Sequence, residues 1–435
     1  MQRIAIITAG GAGMFCGSCM QDNTLARALR MAGTDAVLIP TYTPIRVDEE
    51  NHSSQRVFLG GINVYLDSRL PGWKFLPPFL KHWLDRPAVI RQLTRFSSST
   101  NAADLGPLTV DLLQGTHGPE RTECRELIRF LTDELRPDTI LFSNALLSGI
   151  IPELRERFLG RILTLLQGDD VFLEGLPEKY RLAALKLMSD NCRRIDGVLT
   201  HSQYYANFMQ NYLSLPGELF HQIPLTLETD GIPLPAAIGT ENDDASSSDQ
   251  RFRVGYFARL CPEKGADLFL QWIIPVLQQH SHVVASLGGY LPAQHRLWFE
   301  QRLQAAQRLV TPERLHYFGS PADRAAKFQA LSEFDLLFVP SPYREPKGIY
   351  VLEAAALGIP SLLPEHGALP ERVTQIGSGT LFHPNSSEDA VRQLNRVVSS
   401  PRQTNSDRHS LRMSVQQRHS PATTGPVIAA MLADL

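Results

Sequence analysis

Two glutamates eight residues apart, Glu345 and Glu353, flank Gly348 where a polar turn gives way to an apolar helical run that begins at Ile349. An ionised carboxylate accepts hydrogen bonds from hydroxyl groups, and both can meet one polyhydroxylated ligand laid across the start of that helix. Gly348, with no Cβ, lets the backbone come close to such a ligand. The first-turn N–H groups, from Ile349 onward, have no partner inside the helix and, with the helix dipole, make an anion site.

The surrounding segment, Val339-Pro340-Ser341-Pro342-Tyr343-Arg344-Glu345-Pro346-Lys347-Gly348-Ile349-Tyr350-Val351-Leu352-Glu353, resembles the Glu-x7-Glu signature of the family-4 retaining glycosyltransferases, also called group 1. Downstream, Gly367-Ala368-Leu369-Pro370-Glu371 is similar to that family's Gly-Gly-x-Pro-Glu turn, with alanine for the second glycine. Upstream, Gly255-Tyr256-Phe257-Ala258-Arg259-Leu260-Cys261-Pro262-Glu263-Lys264-Gly265 resembles its Gly-Arg-Leu-x-x-x-Lys-Gly element, with Ala258 where glycine is usual. Each motif alone arises often by chance. In family order, each at the end of a predicted strand, they reinforce one another over nearly all of the second half.

The resemblance implies that Arg259 and Lys264 hold the diphosphate of a nucleotide-sugar donor, that Glu345 grips sugar hydroxyls and that Glu353 binds the ribose. It implies α/β architecture of GT-B type: two Rossmann-like, doubly wound domains facing a cleft. The expected reaction is retaining, metal-independent transfer of a hexose to a saccharide, lipid-linked or small-molecule acceptor. No Asp-x-Asp triplet occurs in the chain, so the usual device for a divalent metal on the donor diphosphate is missing. No metal is implied, and no cofactor beyond the nucleotide diphosphate-sugar that serves as donor substrate.

In the first half the likeness is looser. The run Thr8-Ala9-Gly10-Gly11-Ala12-Gly13-Met14 follows the first strand, where the family has a glycine-rich loop near donor phosphates and acceptor. That makes Gly11 and Gly13 candidate donor contacts, although dinucleotide-binding domains also have glycine-rich turns here, with a different spacing. Where the family often has histidines, this chain has Asn144 after one strand and Gln167 in Gln167-Gly168-Asp169-Asp170 after the next. Asp169 is then the remaining acceptor-side carboxylate, with a helix cap as its structural alternative. Ile223-Pro224-Leu225-Thr226 stands near the family's Pro-Asn-Gly element and has diverged from it.

These residues need a scaffold. Apolar runs over 3–9, 35–40, 138–142, 161–166 and 196–201 predict buried strands, with helices over 20–31, 124–135 and 178–193. The rhythm returns with strands over 252–258, 283–287, 315–318, 336–340 and 359–363, and helices over 266–279, 293–309, 322–331 and 349–357. Alternation of this kind points to parallel sheets covered on both faces. Residues 229–250, rich in Pro, Gly, Ser and acids, read as a linker between an acceptor-side domain over 1–228 and a nucleotide-sugar-binding domain over 251–400. Residues 401–435 are expected to form a tail and a helix crossing back to the first domain. Between 71 and 100 the alternation breaks, and Trp73, Phe75, Phe79 and Trp83 mix with Lys74, Lys81 and Arg86. This patch is either a helical excursion on the first domain or a surface for acceptor docking and peripheral membrane contact.

A chain of 435 residues with 43% hydrophobic residues can fill two cores unaided. A formal net charge of −3 gives no general attraction for nucleic acid. Five cysteines suit a reducing cytoplasm better than a disulfide framework. Cys16-Gly17-Ser18-Cys19 raises a rival from another class, thiol redox or metal binding at a helix start, against a packing role in a large two-domain chain. A sugar-nucleotide epimerase, a phosphorylase and a nucleotide-sugar binder without catalysis share the expected fold and stay open beside the transferase.

Overall fold

The computed structural model describes residues 1–10, 17–54, 57–58, 105–119, 121–233 and 251–435. The chain forms two compact units: Met1–Thr226 with Pro421–Leu435, and Leu227–Ser420. The aromatic and basic patch, Gly11, Gly13, Cys16 and most of the expected linker lie outside the described residues.

The first unit holds a six-stranded sheet in the order β2-β1-β3-β4-β5-β6. Its strands are β1 (Arg3–Thr8), β2 (Asp35–Pro40), β3 (Thr139–Phe142), β4 (Arg161–Leu165), β5 (Gly197–Thr200) and β6 (Phe220–Gln222). Every neighbouring pair is parallel. Such strands are buried on both faces, which explains the unbroken apolar run Ile4-Ala5-Ile6-Ile7, fully buried in the structure. Helices cover both sides. Ile4, Ile6, Leu38 and Leu199 pack with Leu25, Leu29, Ile428 and Leu432 on one face, while Ile7, Ile140 and Ile162 meet Leu127, Leu154 and Met188 on the other.

The second unit repeats the plan in the order β12-β11-β10-β7-β8-β9, again with all neighbours parallel. The strands are β7 (Phe252–Phe257), β8 (Val283–Gly288), β9 (Leu315–Gly319), β10 (Leu336–Phe338), β11 (Ser361–Pro364) and β12 (Thr380–Phe382). Five strands per half were expected; β6 and β12 complete each six-stranded sheet. Both are three-residue edge strands, partly exposed and too short to carry a periodic signal.

Residues 401–435, expected as a tail and a crossing helix, hold two helices. Helix Asn405–His419 belongs to the second unit and helix Pro421–Asp434 to the first. Pro421 disfavours the helical conformation in the residue before it, and Ser420 accordingly turns extended, at ψ 153°. The last helix lies on helix Gly17–Met31, and a Cβ at Gly425 would sit 2.2 Å from the Ala28 carbonyl oxygen. Only glycine permits that approach.

Strand order reverses between β1 and β3 in the first sheet, and between β7 and β10 in the second. At such a reversal the loops leaving the two strands diverge to opposite faces and open a crevice beyond their carboxyl ends, where open parallel sheets bind ligands.

Candidate functional site

The loop after β7 carries Arg259 and Lys264, and the loop after β10 carries Ser341 and Glu345, so the second-half motifs meet at the strand-order reversal. Gly265 brings the loops together. It has φ 68°, and a Cβ there would stand 2.1 Å from the Pro340 carbonyl oxygen. The Ser341 hydroxyl donates to the Glu263 carbonyl at 2.9 Å, and the Tyr343 N–H reaches the same oxygen at 3.4 Å. Below the first loop, the buried Tyr256 hydroxyl lies 3.2 Å from the Arg259 carbonyl and 3.1 Å from that of Lys264. Burial pushes the Tyr256 pKa well up, which keeps it a hydrogen-bond donor.

Lys264 Nζ forms an ion pair with Glu345 Oε1, the two side chains being 18% and 4% exposed. The ammonium also faces the Tyr343 ring at 5.4 Å. Arg259 is exposed beside this pair. Partial desolvation of its guanidinium works against the charge, but the neighbouring Cys261, Glu263 and Glu345 outweigh it and raise its pKa.

Gly348, at φ 66°, caps helix Ile349–Ala356. Gly367 then fixes Glu345 from the far side. It has φ 63°, and a Cβ there would lie 2.7 Å from the Glu345 nitrogen, while the Ala368 N–H donates to the Glu345 carbonyl at 2.8 Å. Arg372, 1% exposed, donates through Nε to the Lys347 carbonyl at 2.8 Å. Burial lowers the Arg372 pKa to about 10, which leaves it charged at neutral pH. The segment from Glu345 to Gly348 is therefore clamped by the turn and helix that follow β11.

The structure brings Arg259, Lys264, Glu345, Gly348 and Ile349 to one end of the sheet. Glu353 enters a separate ion pair, with Lys327 Nζ at 3.0 Å, each side chain 9% exposed. Lys327, Arg372 and Ser341 escaped the sequence reading because their partners Glu353, Lys347 and Glu263 lie far away along the chain. His366, just before the Gly367 turn, was also missed; burial first, then the nearby Arg344 charge, lowers its pKa and favours neutral imidazole.

In the first unit Asp169 is placed otherwise than an open acceptor-side base. It is 5% exposed and opens helix Asp169–Glu174 behind Gly168, so it is not the N-cap itself. Its Oδ1 accepts the Ala145 N–H at 2.7 Å and its Oδ2 the Gln167 N–H at 3.0 Å. The carboxylate thus ties the loop after β3 to the loop after β4. Burial raises its pKa to about 6 against the pull of those amides. Gln167, where a histidine was expected, donates through Nε2 to Asp22 Oδ1 at 2.7 Å and to the Ser143 carbonyl at 3.3 Å. Thr8 reaches the other Asp22 oxygen at 2.7 Å, which knits together the ends of β1, β3 and β4. Cys19 is buried, as are Cys124, Cys192 and Cys261.

Among the described residues no three His, Cys, Asp or Glu side chains cluster as a metal ion would need. No described helix is long and apolar enough to cross a membrane.

Residues 240–417 match the family model described as Glycosyl transferases group 1. A curated relative, the lipopolysaccharide core biosynthesis mannosyltransferase LpcC of Rhizobium leguminosarum bv. viciae, is 23% identical over 213 residues, 48% of this chain. The match spans 56% of that relative's length. Among solved structures, sucrose-phosphate synthase from Thermosynechococcus elongatus aligns over 100% of both chains with TM-score 0.69 and 18% identity. Anabaena Alr3699/HepE, solved in complex with UDP, aligns over 100% of both chains with TM-score 0.63 and 19% identity. These likenesses establish the GT-B fold along the chain, and the second-half motifs gathered at one sheet end lie within the residues that match the group 1 glycosyltransferase model.

Proposed function

We propose that the protein transfers a hexosyl group from a nucleoside diphosphate-sugar to an acceptor hydroxyl, with retention at the anomeric carbon and without a metal ion. The bond from the anomeric carbon to the diphosphate breaks, and a bond to the acceptor oxygen forms on the same face. The departing diphosphate oxygen takes the acceptor's proton, so no protein nucleophile is required. Arg259, Lys264 and the N–H groups after Gly348 stabilise the negative charge that builds on the leaving group. Glu345 accepts from sugar hydroxyls, and Glu353 from the ribose.

The observation that carries this reading is the Lys264–Glu345 ion pair across the β7/β10 reversal. A cation and a carboxylate side by side, where an α/β sheet receives ligands, support Lys264 for the diphosphate and Glu345 for the sugar. The mannosyltransferase relative and the UDP-bound structural neighbour support a sugar nucleotide as donor. The acceptor side rests on the first unit, whose Asp169 acts through the loops it ties and not as an exposed base.

The test is to incubate the protein with radiolabelled nucleotide sugars and no acceptor, after choosing the nucleotide by thermal stabilisation. Slow hydrolysis to free sugar supports transfer. An isomerised sugar nucleotide assigns an epimerase instead, and saturable binding without turnover assigns a binder.

A further inference from the structure

A cavity of about 270 Å³ lies at the opposite end of the second sheet from Arg259 and Lys264. It is bordered by Phe252, the first residue of β7, by Asp335 and Pro360, which precede β10 and β11, and by Thr380 at the start of β12. Three arginines line it: Arg396 from helix Ser387–Ser399, Arg402 from the following connector and Arg408 from helix Asn405–His419.

The single carboxylate in the lining, Asp335, is already engaged. Its Oδ1 accepts from Arg408 Nη2 at 2.9 Å, and its Oδ2 accepts the Arg253 N–H at 2.8 Å with Arg402 Nη2 at 3.9 Å. One negative charge against three positive ones leaves a surplus of two in a concave site, where low-dielectric walls concentrate the field. Two polar atoms of the lining, Arg408 Nε and Gln403 Oε1, are buried without a hydrogen-bond partner. Buried polar atoms are ordinarily paired, so each calls for a ligand group. The start of helix Asn405–His419 is closed by a Thr404–Asp407 capping box, which leaves the guanidinium groups to carry the recognition.

We propose that this pocket is a second anion site that binds the phosphate group of a small molecule. Forked guanidinium donors pair bidentately with phosphate oxygens, and three of them suit the two charges that a phosphate group carries. The volume, just under the usual range for drug-sized ligands, suits inorganic phosphate or a compact phosphorylated metabolite. Gln403 stands ready for a hydroxyl on that molecule, and its amide can present either its oxygen or its nitrogen.

The experiment compares wild type with two double variants, Arg396→Gln/Arg402→Gln and Arg259→Ala/Lys264→Ala, by thermal stabilisation in titrations of inorganic phosphate and of glucose 6-phosphate. Sodium chloride at matched ionic strength corrects for screening. Arg396 and Arg402 are exposed, so their replacement leaves the core intact, which unchanged melting without phosphate will verify. Phosphate is expected to stabilise the wild type and the Arg259/Lys264 variant with the same half-saturation. In the Arg396/Arg402 variant half-saturation should rise at least tenfold. Tighter binding of glucose 6-phosphate than of inorganic phosphate assigns the site to a phosphorylated metabolite; equal binding assigns it to phosphate alone. Unchanged half-saturation in the Arg396/Arg402 variant, loss confined to the Arg259/Lys264 variant, or no stabilisation beyond chloride overturns the proposal.

Discussion

Lys264, in the loop after β7, and Glu345, in the loop after β10, are 81 residues apart and form a nearly buried ion pair where the strand order reverses. The pair costs desolvation, and its geometry is held by Tyr256, Gly265 and Gly367, so it is built for position more than for stability.

Replacing Arg259 or Lys264 with alanine should therefore lower kcat/KM by about 2–4 kcal/mol in transition-state terms, as loss of a charge-stabilising donor does. Lys264→Ala also strands a buried carboxylate and should reduce stability by roughly 3–5 kcal/mol, whereas exposed Arg259→Ala should not. Adding Glu345→Gln to Lys264→Ala should restore stability and not activity. Chemical denaturation alongside steady-state kinetics measures both, and near-normal kcat/KM in the single variants would remove Arg259 and Lys264 from the site.

Gly367→Ala tests how Glu345 is held. The new Cβ would press on the Glu345 backbone from a left-handed conformation that alanine adopts poorly. Transfer is expected to fall by one to two orders of magnitude, or about 1.4–2.7 kcal/mol, while the protein remains folded. An active Gly367→Ala protein would show that this turn does not position the glutamate.

Activity should survive EDTA, because cationic side chains and a helix start supply the field that a metal provides elsewhere. Loss of turnover on chelation, restored by magnesium or manganese, would contradict that reading.

Asp169 should leave its mark on the pH dependence of stability. Its native pKa is raised to about 6, above the unfolded value near 3.9, so the native state binds its proton more tightly. Its contribution is then fully present below about pH 4 and is lost as pH rises through about 6. Asp169→Asn should flatten this part of the profile between pH 4 and 7, at a cost in stability because one backbone N–H loses its acceptor. Urea unfolding across that range measures it, and parallel profiles for the two proteins would refute the assignment.

How much of this was legible without coordinates follows from how local each signal is. Gly348, Ile349 and the two glutamates declare a helix start within nine residues, because capping geometry and an exposed first turn are properties of short sequence. The apolar runs of β1 and β8 declare a sheet buried on both faces for a similar reason. The three-residue edge strands β6 and β12 have no room for periodicity, and they became visible only through their pairing with β5 and β11.

By itself, then, the amino-acid sequence determined two α/β halves and singled out the cations and carboxylates that gather at one end of the second sheet. Tertiary structure alone decided which groups hold them. Glu353 finds Lys327 and Arg372 grips the Lys347 carbonyl through contacts that no spacing rule encodes. Asp169, the acceptor-side candidate of the sequence, accepts from the amides of Ala145 and Gln167. A side chain's type sets what it can bond, but folding chooses among distant partners by burying those that satisfy one another.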